Sequence, residues 1–286
     1  MSMNSIYQIA GHIFEVSGEN LCAAVAGIEG FRPFVIKEGE PAFRLMEGKG
    51  LDVPIFEKVE YCLEYEGVKG TFGRTLDGYR LNLKPEQADA LDLWCRKGED
   101  VAYLEGNWSL LLSRFALWVA YGLMTLGKDT LAIHSSCIVY QGKAVLFLGE
   151  SGTGKSTHTG LWRKHIEGAE LLNDDSPIIR VEAGKVWVYG SAWSGKTPCY
   201  KNERYELKAC VRLSQAPYNQ IRKLTVLQAY GAIHPSCAPE FAYDDSLYDD
   251  VSRIIGQLLL FVPCYHLACL PDNEAALLAC RTVFGE

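Results

Sequence analysis

The sequence predicts an α/β (α+β) protein in two parts: a β-rich N-terminal module over residues 1–105 and a second domain with a mixed sheet and helices over 106–286. Three observations carry this. Short apolar runs split by Gly and Asp turns fill the first third of the chain. The apolar run Ala144–Leu148 breaks into a glycine-rich turn and restarts as a helix. Beyond it, strand-like runs alternate with segments of helical spacing up to the C-terminus.

Composition bounds the class. Of 286 residues, 48% are hydrophobic and 22% charged, which is ordinary for a soluble globular protein. A net charge of −7 argues against a general nucleic-acid or membrane-surface binder. The N-terminus lacks a basic-then-apolar secretory pattern, and the ten cysteines include no C-x-x-C pair, so they read as reduced core thiols. A cytoplasmic enzyme with neither nucleic-acid nor membrane partners is the expectation.

In chain order, residues 5–18 alternate in part as a half-buried strand does, with His12 in a structural position. Leu51–Val53, Val59–Tyr65, Gly70–Arg74 and Tyr79–Leu83 read as further short strands, and no catalytic constellation falls within the first 105 residues. Asn107-Trp-Ser opens a helix running to about Leu126, expected to be buried rather than membrane-spanning. Leu131–Tyr140 and Lys143–Leu148 flank Gln141-Gly142 as a hairpin. If Tyr140 pairs with Lys143, His134 stands opposite Gly149, beside the turn; a core histidine satisfied by backbone is the alternative.

That turn is the most specific feature. Gly149, Gly154, Lys155 and Ser156 fill every fixed position of the G-x-x-x-x-G-K-[ST] phosphate-binding loop (the Walker A motif). Residues Gly149, Glu150, Ser151, Gly152, Thr153, Gly154, Lys155, Ser156 and Thr157 are the expected nucleotide-binding set. Glycines let backbone N–H groups converge on phosphate oxygens, and the following helix points its positive end at them. Lys155 is expected to reach the β- and γ-phosphates, and Ser156 to ligate Mg²⁺.

Thr157–Ile166 then reads as a helix with His158 and His165 on its surface, and Ala169–Leu172 as a strand ending in Asn173-Asp174-Asp175. Successive strand residues face opposite ways, so one carboxylate can meet the metal while its neighbour meets the nucleophile. A solvated Asp-Asp turn is the alternative. Pro177–Glu182 and Lys185–Tyr189 form a second hairpin, whose extended register sets Asp174 near Trp193 and Asp175 near Ala192. The segment 190–196 is therefore read as a substrate or nucleotide loop. Ser194 and Gly195 allow close approach, Trp193 supplies a ring and Lys196 a cation for phosphate charge; the alternative is an exposed turn with Trp193 in the core. Tyr205–Leu213 is a strand and Lys223–Tyr230 strand or helix; Arg204 and Arg222 read as solvated surface charges, with phosphate-binding charge as the alternative. Asp244, Asp245, Asp249 and Asp250 mark the exposed start of a helix, followed by a strand at Cys264–Leu270 and a helix at Asn273–Phe284.

The ordered set His134, Gly149–Ser156 and Asp174-Asp175 resembles the catalytic domain of HPr kinase/phosphorylase, and more broadly the phosphoenolpyruvate-carboxykinase-like superfamily, over roughly residues 128–270. The resemblance implies ATP and Mg²⁺ as cofactors, with Asp174 as general base and Asp175 with Ser156 holding the metal. It also implies a homo-oligomer, since HPr kinases assemble as hexamers. Ser135 replaces the glycine that follows the histidine in HPr kinases, and Gly190–Lys196 stands where their arginine-bearing loop is expected. That segment looks more like small kinase-like members associated with modified peptides or free serine. The expected function is an ATP·Mg²⁺-dependent phosphotransferase acting on a serine-like hydroxyl of a small molecule, peptide or protein, with Asp174, Lys155, His134 and Lys196 as its catalytic set. Carboxykinase activity is not expected. A non-catalytic nucleotide-binding regulator and an NTP hydrolase are the rivals.

Overall fold

Ala10 (φ 47°) and Gly11 (φ 78°) fold the single strand expected over 5–18 into a hairpin. Its arms are β1(Asn4–Ile9) and β2(His12–Ser17), in a computed structural model that describes residues 4–285. Two successive positive φ angles make the tight turn whose twist suits paired strands; Ala in the first position hides a turn that Asn or Asp would have announced. The chain continues through α1(Glu19–Gly27), β3(Val35–Ile36), β4(Phe43–Glu47), β5(Lys58–Tyr65), β6(Val68–Arg74), β7(Gly78–Pro85), β8(Leu91–Arg96), β9(Val101–Gly106) and α2(Leu110–Thr125). Among the described residues these strands form a nine-stranded mixed sheet in the order β3-β1-β2-β4-β9-β8-β7-β6-β5, with β4 parallel to β2 and β9. Leu51–Val53, expected as a strand, is irregular, because Pro54 removes a ladder donor beside it. The helix α2 buries Leu112, Ala116, Leu117, Val119 and Ala120. By length and composition Leu110–Lys128 could cross a bilayer; here 56% of its apolar window is buried, as in a core helix.

The chain divides into two units: residues up to Lys128 with Pro239–Tyr248, and Asp129–Ala238 with the residues from Asp249 on. The helix α2, expected to open the second domain, is thus in the first unit. So is Asp244, expected at an exposed helix start but fully buried. Its carboxylate accepts from the Leu247 amide at 3.0 Å and the Tyr79 hydroxyl at 3.2 Å, and pairs with Arg74. Two of those partners are so distant in sequence that no local pattern reveals them.

The second unit comprises β10(Thr130–Ala132), β11(Ser135–Tyr140), β12(Lys143–Leu148), α3(Lys155–His165), β13(Glu170–Asn173), β14(Ile178–Glu182), β15(Lys185–Tyr189), β16(Arg204–Gln215), β17(Gln220–Lys223) and α4(Val226–Ile233). After α5(Pro239–Ala242) in the first unit come α6(Asp245–Phe261), β18(Cys264–Cys269) and α7(Asn273–Phe284). Among the described residues the sheet follows β10-β14-β15-β16-β12-β11-β13, with β18 joining β16 to β17. It is mixed, because β16 runs parallel to both β12 and β18. Leu131–Tyr140, expected as one strand, is two. The Ile133 amide donates to Pro177 O and the His134 amide to Ser236 O, so the ladder breaks between β10 and β11.

Alternate residues of β12, β16 and β18, among them Phe147, Val211, Leu213 and Leu267, pack against Trp162 of α3 and Ala276, Ala279 and Val283 of α7. His158, expected on the surface of α3, lies in this core. Its ring meets Phe147 edge-on at 4.7 Å, and its Nε2 accepts from Trp162 Nε1 at 3.1 Å. A neutral imidazole counts as apolar here, which a hydrophobicity pattern does not record. Burial pushes the His158 pKa down to about 4. Between that value and the unfolded value near 6.5, the unfolded chain binds the extra proton, so stability falls as pH drops through this window. Denaturant titrations of this unit should lose up to about 3 kcal/mol from pH 7 to pH 4 through this residue. A His158→Gln variant showing the same slope would assign it elsewhere.

Candidate nucleotide and phosphoryl-transfer site

The segment that matches the phosphate-binding motif, Gly149–Ser156, runs from the end of β12 into α3. Gly149 (φ 155°), Gly152 (φ 81°) and Gly154 (φ 106°) occupy backbone conformations that L side chains rarely adopt. A Cβ on Gly149 would stand 3.0 Å from the Thr153 methyl carbon. Thr153 braces the turn by donating its hydroxyl to Glu150 O at 2.8 Å. Arg163, Lys164 and His165 in the last turn of α3 oppose its dipole, whose positive end faces the loop. Ser156 and Thr157 are exposed in the first turn, beside Glu150, Ser151 and Gly152.

Lys155 is buried, and its Nζ donates to Gly149 O at 2.7 Å and Glu150 O at 3.2 Å. Burial pulls its pKa below the ordinary value, and Asp175 and Asp174 act against that pull. The β11–β12 hairpin pairs Tyr140 with Lys143 and Ser135 with Leu148, so His134 stands just beyond the ladder, level with the start of the loop. Its Nε2 lies 3.2 Å from Lys155 Nζ and its Nδ1 3.2 Å from Asp175 Oδ1. An ammonium can only donate, so the contact assigns the lone pair to Nε2 and the proton to Nδ1. Carboxylate, imidazole and ammonium thus stand in one line of polar contacts.

The two aspartates differ. Asp174 is only 5% exposed; Oδ1 accepts from Ser136 Oγ at 2.9 Å and Oδ2 from the Thr197 amide at 3.2 Å. Ser136 also meets Thr159 Oγ1 at 3.1 Å, and Thr159 bonds Ser156 O, which ties Asp174 to the first turns of α3. The Asp175 side chain is one-third exposed and faces His134. Asn173 holds both. Its Oδ1 accepts from the amides of Asp175 (2.9 Å) and Ser176 (2.8 Å), and its Nδ2 donates to Trp193 O (2.9 Å) and Ser191 Oγ (3.2 Å). Asn173→Ala strips partners from two amides and a carbonyl and should cost about 2–4 kcal/mol in denaturant titration; a cost below about 1 kcal/mol would contradict this bracing role.

The segment 190–196 reaches the aspartates, but out of the extended hairpin register: Trp193 O meets Asn173 and Gly195 is the residue that approaches Asp174 and Asp175. Its side chains divide. Trp193 is buried in the core rather than presented to a substrate. Ser194 is also buried, donating to Thr197 O at 2.7 Å and accepting from the Cys199 amide at 3.2 Å, which makes it a loop brace. Gly195 and Lys196 are exposed. A Cβ on Gly195 would stand 3.1 Å from Asp174 O and 3.3 Å from Asp175 Cβ, so the absence of a side chain permits this approach.

Arg212 is the residue that local patterns miss. It pairs in register with Leu148, the last residue of β12, and its Nη2 lies 3.4 Å from Glu150 Oε1. Its strand is parallel to β12 and some sixty residues away in sequence; the available signal was a lone charge inside Ala209–Leu213. Among the described residues, no group of three or more His, Cys, Asp or Glu side chains is arranged to hold a metal ion. The donors present are a hydroxyl and carboxylates. Mg²⁺ takes such hard oxygen ligands in small number, together with phosphate oxygens and water, so they fit that ion.

No protein-family model matches the chain. No curated protein sequence matches it either. Among solved structures, the HPr(Ser) kinase/phosphatase from Coxiella burnetii aligns with 54% of this chain and 93% of its own, at 12% identity and a TM-score of 0.31. At those values the likeness carries no assignment of activity, and what the site can do rests on its own geometry.

Proposed function

We propose that the second unit is an ATP·Mg²⁺-dependent phosphotransferase that acts on a serine-like hydroxyl of a small molecule, peptide or protein. The observation that carries the proposal is the line from Asp175 through His134 to Lys155 at the mouth of a complete phosphate-binding loop. A triphosphate in the loop draws Lys155 off the Gly149 and Glu150 carbonyls, and its γ-phosphoryl group then lies beside His134 and Asp175. A hydroxyl approaching there meets a carboxylate oriented by an imidazole, which suits general-base assistance.

The geometry favours a division of the aspartates opposite to the one the family resemblance implies. Asp175 is exposed and faces the Lys155 side, which suits the base. Asp174 is tied through Ser136 and Thr159 to the turn bearing Ser156, and it would hold Mg²⁺ with that hydroxyl. When bound, the ion would offset charge on the phosphate oxygens. Lys196, exposed beside the carboxylates, would add a cation at the incoming phosphoryl group.

The test is a product assay with γ-labelled ATP and Mg²⁺ against L-serine, hydroxyl-bearing peptides and small alcohols. Label on an acceptor supports the proposal. Free phosphate alone assigns hydrolysis, and tight binding without turnover assigns a regulator.

A further inference from the structure

Leu148, Arg212, His266 and Arg222 are consecutive partners across β12, β16, β18 and β17. Residues paired in register share a face of a sheet, so the three basic side chains form one row leading away from the phosphate loop. Val211, Leu213 and Leu267, their neighbours along the strands, point into the core on the other face. Two arginines flank a histidine on this face, in a chain of net charge −7. Among the described residues, Glu150 is the carboxylate that meets the row, at its Arg212 end. Arg212 also donates to Ala232 O at 3.1 Å, Arg222 to Gln228 Oε1 at 3.2 Å, and His266 Nε2 lies 2.9 Å from Ser214 Oγ. Burial, and then the two flanking guanidinium groups, hold the His266 pKa below its ordinary value, so the ring is a neutral aromatic between two cations.

Position decides what this row serves. The loop strand β12 lies between β11 and β16. His134 and the aspartates gather on the β11–β13 side, where the proposed function puts the γ-phosphoryl group. A triphosphate with its γ end there directs its other end toward β16. At ordinary strand spacing, Arg212 stands about 5 Å and Arg222 roughly 14 Å from β12. Guanidinium and imidazole planes are good surfaces for a nucleobase.

We propose that Arg212, His266 and Arg222 form the nucleoside subsite, with Arg212 meeting the α-phosphate and the His266 and Arg222 planes carrying the base. This rests on the proposed nucleotide reading of the loop. The test titrates MgATP and Mg²⁺-tripolyphosphate, which keeps three phosphates and lacks the nucleoside, into the full chain and its Arg222→Gln and Arg222→Lys variants by calorimetry. Arg222→Gln should weaken MgATP about tenfold and leave tripolyphosphate within about twofold. Arg222→Lys keeps the charge and loses the plane, and it should bind MgATP nearly as weakly as Arg222→Gln. Unchanged MgATP binding, an equal loss for both ligands, or full recovery in Arg222→Lys overturns the subsite and leaves the loop reading standing. A wild-type chain that binds neither ligand overturns both.

Discussion

Replacing Asp175 by Asn should lower phosphoryl transfer by about 10²–10⁴-fold, with MgATP binding retained. The substitution keeps the shape and removes the acceptor charge that faces His134 Nδ1. The amide oxygen can still accept from the ring, but an amide cannot take up the hydroxyl proton, so the base is lost while the imidazole keeps a partner. Asp174→Asn should behave differently, because that carboxylate is buried between Ser136 Oγ and the Thr197 amide. Its expected signature is a higher Mg²⁺ requirement, with turnover recovering at high Mg²⁺. Steady-state rates across a Mg²⁺ series separate the two. Turnover lost irreversibly in Asp174→Asn, and spared in Asp175→Asn, would restore the division that the family resemblance implies.

Trp162→Ala should destabilise the second unit by about 3–5 kcal/mol, the usual cost of emptying a large aromatic site in a packed core. Trp162 is fully buried, tilted against Phe147 at 5.5 Å, and donates to His158 Nε2. It ties α3 to the sheet, and α3 carries the phosphate loop at its start. Urea unfolding followed by far-ultraviolet circular dichroism measures the effect. A cost under about 1.5 kcal/mol would mean the site collapses around the vacancy and that α3 is held mainly by α7.

What the sequence made legible was local or a short step from local. The glycine-rich turn depends on glycines and one lysine at fixed spacing, so its place between β12 and α3 is written in consecutive residues. His134 could be placed because a two-residue turn sets a hairpin register, and counting back from Tyr140 and Lys143 suffices. The same arithmetic on β14 and β15 held within the hairpin, but beyond it the pairing slips, and Gly195 rather than Ala192 and Trp193 approaches the aspartates. What failed was either non-local or a matter of burial. Arg212 reaches the loop through a parallel pairing that no turn encodes. Asn173 stood in view beside the aspartates; two of its four hydrogen bonds are local, to the Asp175 and Ser176 amides, but the two to Ser191 and Trp193 go to groups placed only by the completed fold. His158 was turned the wrong way because helical spacing ranks side chains by hydrophobicity, and for Trp193 the core alternative is the one observed. A core accepts an imidazole paired with an indole, and a loop can bury the ring that seemed meant for a ligand. The strand expected over Leu131–Tyr140 broke at Ile133 and His134, where backbone donors bond outside the ladder. That break frees His134 to face the loop.

The measurement that bears most directly on the central claim is calorimetric titration of MgATP into the full chain and into Lys155→Ala, with circular dichroism confirming that both are folded. Lys155 Nζ, now shared between two loop carbonyls and His134, should transfer to the phosphates. The wild-type chain should therefore bind MgATP at one site, and the variant should lose at least about tenfold in affinity. A wild-type chain that binds no MgATP, or a folded variant that binds it as tightly as the wild type, would contradict the account.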